Sequence, residues 1–236
     1  MTWMAGGLLR ADDAGAAWTS DDTATARQAD ALMAQGHPEA AAALYRQLRD
    51  RHPRLTQALL YDVKGLLATG AYREAYDESV QAVALNPSDA IARVWLGLAL
   101  IHLQRDPEAI ATLQTAAAMD PDGAATIQWL AAAYRQVGEP AKADALVDGT
   151  LKGQDPAQAA RTLEQFGDVY HSVDDAVGAV AAWQRAAQLG NRDAAKWLAW
   201  AYSAGTACRV TTATRATGSG AATIPTPGSR GCRSRR

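Results

Sequence analysis

Four histidines, two cysteines and the Asp174-Asp175 pair are the residues of this 236-residue chain with the types and placement to do chemistry. His37, His52, His102 and His171 fall on different segments, too isolated to assemble the several ligands that a metal site takes. The chain has no phosphate-binding glycine loop, no Gly-x-Ser-x-Gly and no His-Glu-x-x-His. Asp174-Asp175 reads as a turn followed by a helix N-cap. Cys208 and Cys232 match no zinc spacing. Trp183, Trp197 and Trp200 are expected in the core. No catalytic residue, metal or cofactor is therefore predicted, and the chain is read as a non-enzyme. What it can offer is surface, so the elements that shape that surface carry the argument.

Residues 90–123, AIARVWLGLALIHLQRDPEAIATLQTAAAMDPDG, show the unit from which the chain is built. A first helix from about Ala90 to Leu103 carries Leu96, Ala99, Leu100 and Leu103 on one face. Asp106-Pro107 then supplies an N-cap and a first-turn proline for a second helix. That helix carries Ile110, Leu113, Ala116 and Ala117 and stops at Asp120-Pro121. The same punctuation returns at a fixed interval. Ala41, Ala75, Ala109 and Ala143 are spaced by 34 residues, and Ala179 follows at 36. Pro53, Pro87 and Pro121 keep the same step of 34, with Asp155-Pro156 where the next should fall. Gly36 and Gly70 keep it too, with Gly138 two periods beyond Gly70. A fixed period of this length marks an array of helix pairs.

Each recurrent residue has a physical role. The alanines face the first helix of their own unit, where a small side chain lets two backbones approach. Their partners are Ala29, Gly97, Ala131 and Gly167, with Val63 as the bulkier exception. The glycines end first helices in the left-handed conformation, and the prolines cannot continue second helices.

With these residues in place the chain resembles the tetratricopeptide repeat proteins. The resemblance rests on Leu96-Gly97, Leu100, Ala109, Leu113, Ala116 and Pro121 in the third unit. In the fifth it rests on Phe166-Gly167, Tyr170, Ala179, Trp183 and Ala186, and in the fourth on Leu130-Ala131, Tyr134, Gly138 and Ala143. Gln104 and Asp174 replace the turn glycine, and Ser79 and Val147 replace the aromatic. The run 181–205 is also similar to Sel1-like repeats, through Gly190-Asn191-x-x-Ala194. The implied fold is all-α: a right-handed α-solenoid of about five helix-turn-helix units over residues 22–206. Helix pairs are expected near 22–53, 56–87, 90–121, 124–155 and 158–190. A further helix, 192–203, caps the array or begins a sixth unit.

The resemblance implies a site as well, because in this family the first helices line a concave face. The inward stripe runs through Ala26, Asp30 and Met33, then Leu60, Lys64 and Leu67, then Val94, Leu98, Ile101 and His102. It continues through Gln128, Ala132 and Arg135 to Glu164, Asp168 and His171. Leu60, Lys64, Leu67, Val94, Leu98, Ile101, His102 and Arg135 are the expected partner-binding residues, an exposed apolar strip with charged flanks. Some relatives hold a C-terminal carboxylate with Lys, Asn and Arg here. Only Lys64 matches that pattern, so carboxylate clamping is not expected.

The ends differ from the array. Residues 1–21 have no basic start, and Arg10, Asp12 and Asp13 interrupt any apolar segment, so no signal peptide is read and a cytoplasmic location is expected. Residues 1–21 are read either as a short helix packed on the first unit through Trp3, Leu8, Leu9 and Trp18 or as a frayed, disordered terminus. Residues 207–236 contain no Leu, Asp, Glu or Lys and six arginines. The tail thus carries +6, against −8 for residues 1–206 with all 25 acidic groups. Such a composition reads as a disordered basic tail. Its Ala, Arg, Gly, Ser, Thr and Pro content also fits a reading-frame change in a G/C-rich gene, which translation of the other two frames tests. No run approaches the ~20 apolar residues of a membrane span. Six arginines without aromatics do not make a nucleic-acid site, and nothing points to a small-molecule substrate. Two functions remain: a scaffold holding a peptide or helix of a partner protein, or the regulatory part of a larger system packed on its own effector domain.

Overall fold

A computed structural model describes residues 17–203. The expectations for Trp3, Leu8 and Leu9, for Cys208 and Cys232, and for the arginine-rich tail lie outside the described residues. Within them the chain forms α-helices and no strand. The helices divide into two units, 1–121 and 122–236.

The first unit holds α1 (Ser20–Ala34), α2 (Pro38–Arg51), α3 (Thr56–Ala68), α4 (Tyr72–Leu85), α5 (Ala90–His102) and α6 (Asp106–Met119). Each helix packs on the next in sequence, and α3 also touches α5. First helices therefore neighbour first helices within the unit, as the 34-residue period requires. Ala41, Ala75 and Ala109 have no exposed surface, and neither do Ala29 and Val63. At Gly97 a Cβ would stand 2.6 Å from Leu113 Cγ, so α5 and α6 cross where only hydrogen fits. Gln104 and Asp174, in place of the turn glycine, take φ of 57° and 61°. They carry the strain of a left-handed non-glycine residue and still close the turn.

The second unit holds α7 (Ala124–Gln136), α8 (Pro140–Leu151), α9 (Pro156–Ser172), α10 (Ala176–Gln188) and α11 (Arg192–Ser203). α9 packs most heavily on α10, and α11 packs on α10. Ala143 and Ala179 are buried against their first helices as expected. Asp155-Pro156 corrects the sequence reading. It does not stop α8, which ends earlier beside the left-handed Gly153. Instead Asp155 caps α9 through a capping box with Gln158, and Pro156 is the first residue of a 17-residue helix. The acidic cap and the N1 proline favour a start over a stop. Asp106 is a second correction: it lies inside α6, whose N-cap is Arg105 and makes no side-chain capping bond.

The first turn of α1 is fixed by a capping box in which the Thr19 hydroxyl accepts from Asp22 N and the Asp22 carboxylate accepts from Thr19 N at 2.9 Å. Asp22 also meets His52 Nε2 at 2.9 Å and Arg51 at 2.6 Å, tying the start of α1 to the end of α2. His52 is thus a packing residue. Trp18 closes the corner, its ring 5.7 Å from His52 and 5.6 Å from Tyr61. Hydrogen bonds from Thr19, against the opposing effect of burial and with help from His52, hold the Asp22 carboxyl at about 2. A depressed carboxylate stabilises the fold above its unfolded pKa, and that contribution fades as pH falls toward the folded value. Thr19→Ala should cost ~1 kcal/mol and raise the Asp22 pKa. Denaturant melts at neutral pH and carboxyl NMR titrations check both.

Candidate functional site

The structure places the eight expected site residues in three different situations. Val94, Leu98 and Ile101 on α5 are buried, with 6%, 6% and 2% exposure. The exposed apolar strip expected there does not exist. α5 buries seven of its thirteen residues, including Ala92, Gly97, Ala99 and Leu100 on other faces. A helix that is apolar nearly all round becomes core. Leu60 and Leu67 on α3 are half-buried and lean on the cores formed by Leu59, Ala82 and Ala92, and by Val63, Leu66, Ala75 and Ala99.

The polar members already have partners in the chain. Lys64 donates to Asp30 Oδ1 at 2.6 Å, and the Tyr45 hydroxyl donates to the same oxygen at 2.5 Å. Desolvation raises the Asp30 carboxyl, yet these two donors outweigh it and bring its pKa below the ordinary value. His102 stacks on Tyr72 at 4.5 Å with the rings nearly parallel. Arg135, in the second unit, is paired with Asp175, lies 3.7 Å from Asp144 and sits over the Tyr170 ring. Burial works against its charge, but the Asp175 carboxylate prevails and raises its pKa. Arg135 therefore ties α7 to the α9–α10 turn and is not free to orient a ligand.

What stays open on the first helices of the first unit is a shallow cavity of about 310 Å³ between α3 and α5. Gln57, Leu60, Tyr61 and Lys64 line one side, and Asp89, Ile91 and Trp95 the other. Ile91 is 60% exposed, the highest value among the large apolar residues described. It lies three residues before Val94, one turn earlier on the stripe, and was missed because the apolar run was counted from Val94. Asp89 caps α5 through bonds to Ile91 N and Ala92 N, which fixes Ile91 at the helix's first turn.

The comparisons with known proteins decide what this architecture is. The tetratricopeptide repeat family model matches residues 26–78 and 63–124. Residues 26–124 are tetratricopeptide repeats. The solved structures similar to this chain extend the fold over the second unit. A thermophilic tetratricopeptide protein of Thermus thermophilus is 21% identical, with a TM-score of 0.62 over 76% of this chain and 98% of that one. One from Parabacteroides merdae is 17% identical, with a TM-score of 0.58 over 75% and 69%. Cut9–Hcn1 of the anaphase-promoting complex gives 15%, 0.55, and 77% and 36%. No curated protein matches the chain in sequence.

The last three helices explain two further motifs. Asn191 Oδ1 accepts from the backbone of Asp193 and Ala194, capping α11, while its amide donates to Ala160 O and to Glu164 at 2.6 Å. One side chain thus fixes the α10–α11 turn onto α9. Trp183 is buried, as expected, but Trp197 and Trp200 are 42% and 44% exposed. They rim the packed face of α11, Trp197 stacked on Trp183 and Trp200 edge-on to His171, while Ala194, Leu198 and Ala201 fill its inner face. Among the described residues no helix is long and apolar enough to cross a membrane.

Proposed function

We propose that this chain is a protein-interaction scaffold that takes an extended or helical peptide segment of a partner protein on the first helices of its second and third repeats. The observation that carries this reading is Ile91, exposed beside Leu60 and Trp95 in the α3–α5 cavity and flanked by Asp89 and Lys64. An apolar floor with a charge of each sign at its rim suits a partner that inserts one aliphatic or aromatic side chain and aligns a polar backbone across it. The tetratricopeptide architecture supplies the rigid stack on which such a surface is held. The retained members of the expected site are Leu60 and Lys64.

Ile91→Asp should leave stability within about 0.5 kcal/mol of wild type, as expected for an exposed position. The same change should abolish partner capture in a cross-linking pull-down from the native cell. Equal capture by both proteins would sink the assignment.

A further inference from the structure

A second cavity, about 220 Å³, lies on the side of α3 that faces the second helices. Arg46 and Arg49 of α2, Asp62 of α3, and Glu74, Asp77 and Glu78 of α4 line it. Four carboxylates and two guanidinium groups line it, and among the described residues only Asp77 has a further cation, Arg73 at 3.7 Å, so the lining is net negative. Asp62 is the decisive residue. It is 1% exposed, its Oδ2 takes a 3.3 Å bond from Arg49 Nε, and its buried Oδ1 has no hydrogen-bond partner. Glu78 repeats the arrangement: Oε1 lies 3.7 Å from the same Arg49 Nε, and buried Oε2 has no hydrogen-bond partner. The Arg49 guanidinium also pairs with Asp50 at 3.2 Å, so one cation is shared by three carboxylates and leaves an oxygen of Asp62 and of Glu78 unmet.

Buried carboxylates without full pairing are costly, and the chain shows that cost. Burial pushes both the Asp62 and the Glu78 carboxyl above the ordinary range, and Arg49 and Arg46 only partly offset it. A bound metal does not fit the gap. No group of three His, Cys, Asp or Glu side chains among the described residues is placed to hold a metal ion. The two unmet oxygens sit on neighbouring helices, α3 and α4, beneath the lining of one cavity, so a single ligand that serves both must displace side chains at its floor. A planar guanidinium does this with a fixed fork of donors and sheds its water more readily than an ammonium does.

We propose that the cavity between α2, α3 and α4 is a binding site for an arginine side chain of a partner peptide, whose guanidinium bridges Asp62 Oδ1 and Glu78 Oε2. The site lies on the opposite side of α3 from the Leu60–Ile91 surface and does not depend on it.

The test is a carboxyl-detected NMR titration of the full chain with Nα-acetyl-arginine amide and with a short arginine-centred peptide. Nα-acetyl-lysine amide, Nα-acetyl-citrulline amide and calcium serve as comparisons. Binding of the arginine probes should move the Asp62 and Glu78 side-chain resonances and lower both pKa values. Glu78→Gln should weaken binding at least about tenfold, the loss of one charge-assisted hydrogen bond. Asp62→Asn should do the same or more. If Asp62→Asn unfolds, Glu78→Gln alone decides, because Glu78 is partly exposed and its loss leaves the Arg49–Asp62 bond in place.

The peptide should bind more tightly than the amide, and the reverse order overturns the assignment to a partner peptide. Equal response to the lysine or citrulline probe, or a calcium response at the same resonances, overturns the guanidinium assignment. So does a response confined to the exposed Glu74 and Asp77. Resting pKa values of Asp62 and Glu78 already in the ordinary range would show that an arginine of this chain fills the cavity, and would overturn the partner assignment.

Discussion

Leu98→Asp should abolish the cooperative unfolding of the first unit. Leu98 is 6% exposed on α5, beside the equally buried Val94 and the more deeply buried Ile101. The substitution removes a packed side chain and sets a carboxylate in its buried place. Losing the leucine alone costs ~2–5 kcal/mol, and burying an unpaired charge adds several more, roughly 4 kcal/mol or above in total. That is a large part of the ~5–15 kcal/mol by which a domain is held folded. Amide exchange along α3–α6 should lose its protection, and the thermal transition should broaden or vanish. Ile91→Asp, two turns earlier on the same stripe, is the internal control and should melt like wild type. Were Leu98→Asp to melt like wild type as well, α5 could not be buried as it stands in the structure.

The contrast between these two positions shows what the sequence made legible. The period of 34 fixed the helix pairs because Ala41, Ala75, Ala109 and Ala143 answer to a local rule: two helices cross there and only a small residue fits. The left-handed turns at Gln104 and Asp174 were equally legible, since the spacing demands a turn whatever residue fills it. The stripe on the first helices was harder to judge. Val94, Leu98 and Ile101 sit at inward positions by spacing, but whether an inward residue is exposed depends on how closely the neighbouring elements stack. Periodicity along one helix does not contain that distance. The same reason hid the ion pairs of Arg135 and Lys64, whose partners Asp175 and Asp30 are 40 and 34 residues away. Asp62 went unmarked because an aspartate on the inner face of an apolar helix has no sequence signature apart from breaking its hydrophobic pattern.

Trp183→Ala should produce the other large loss, in the second unit. The Trp183 ring is 1% exposed and lies directly on the backbone of Gly167, where α9 and α10 cross. It stacks on Trp197 at 5.8 Å and touches His171, so three helices meet on it. Truncation to alanine should cost ~3–5 kcal/mol, because Gly167 offers no side chain to fill the space.

Trp183→Phe separates packing from hydrogen bonding. The indole Nε1 donates to Asp168 Oδ1 at 3.0 Å. Desolvation raises the Asp168 carboxyl above its ordinary value, with Glu164 adding to the rise, while the indole donor and His171 oppose it. A carboxyl raised in the folded state binds more protons folded than unfolded, so its contribution to stability worsens as pH rises through the window between the two values. Removing the indole donor lifts the folded pKa further and widens that window. Trp183→Phe should therefore lose more stability, relative to wild type, at about pH 7 than at about pH 4, where both states approach protonation. Guanidinium melts of both proteins at the two pH values read this directly. A loss that is the same at both would mean that the indole acts through its bulk alone, and that the bond to Asp168 adds nothing.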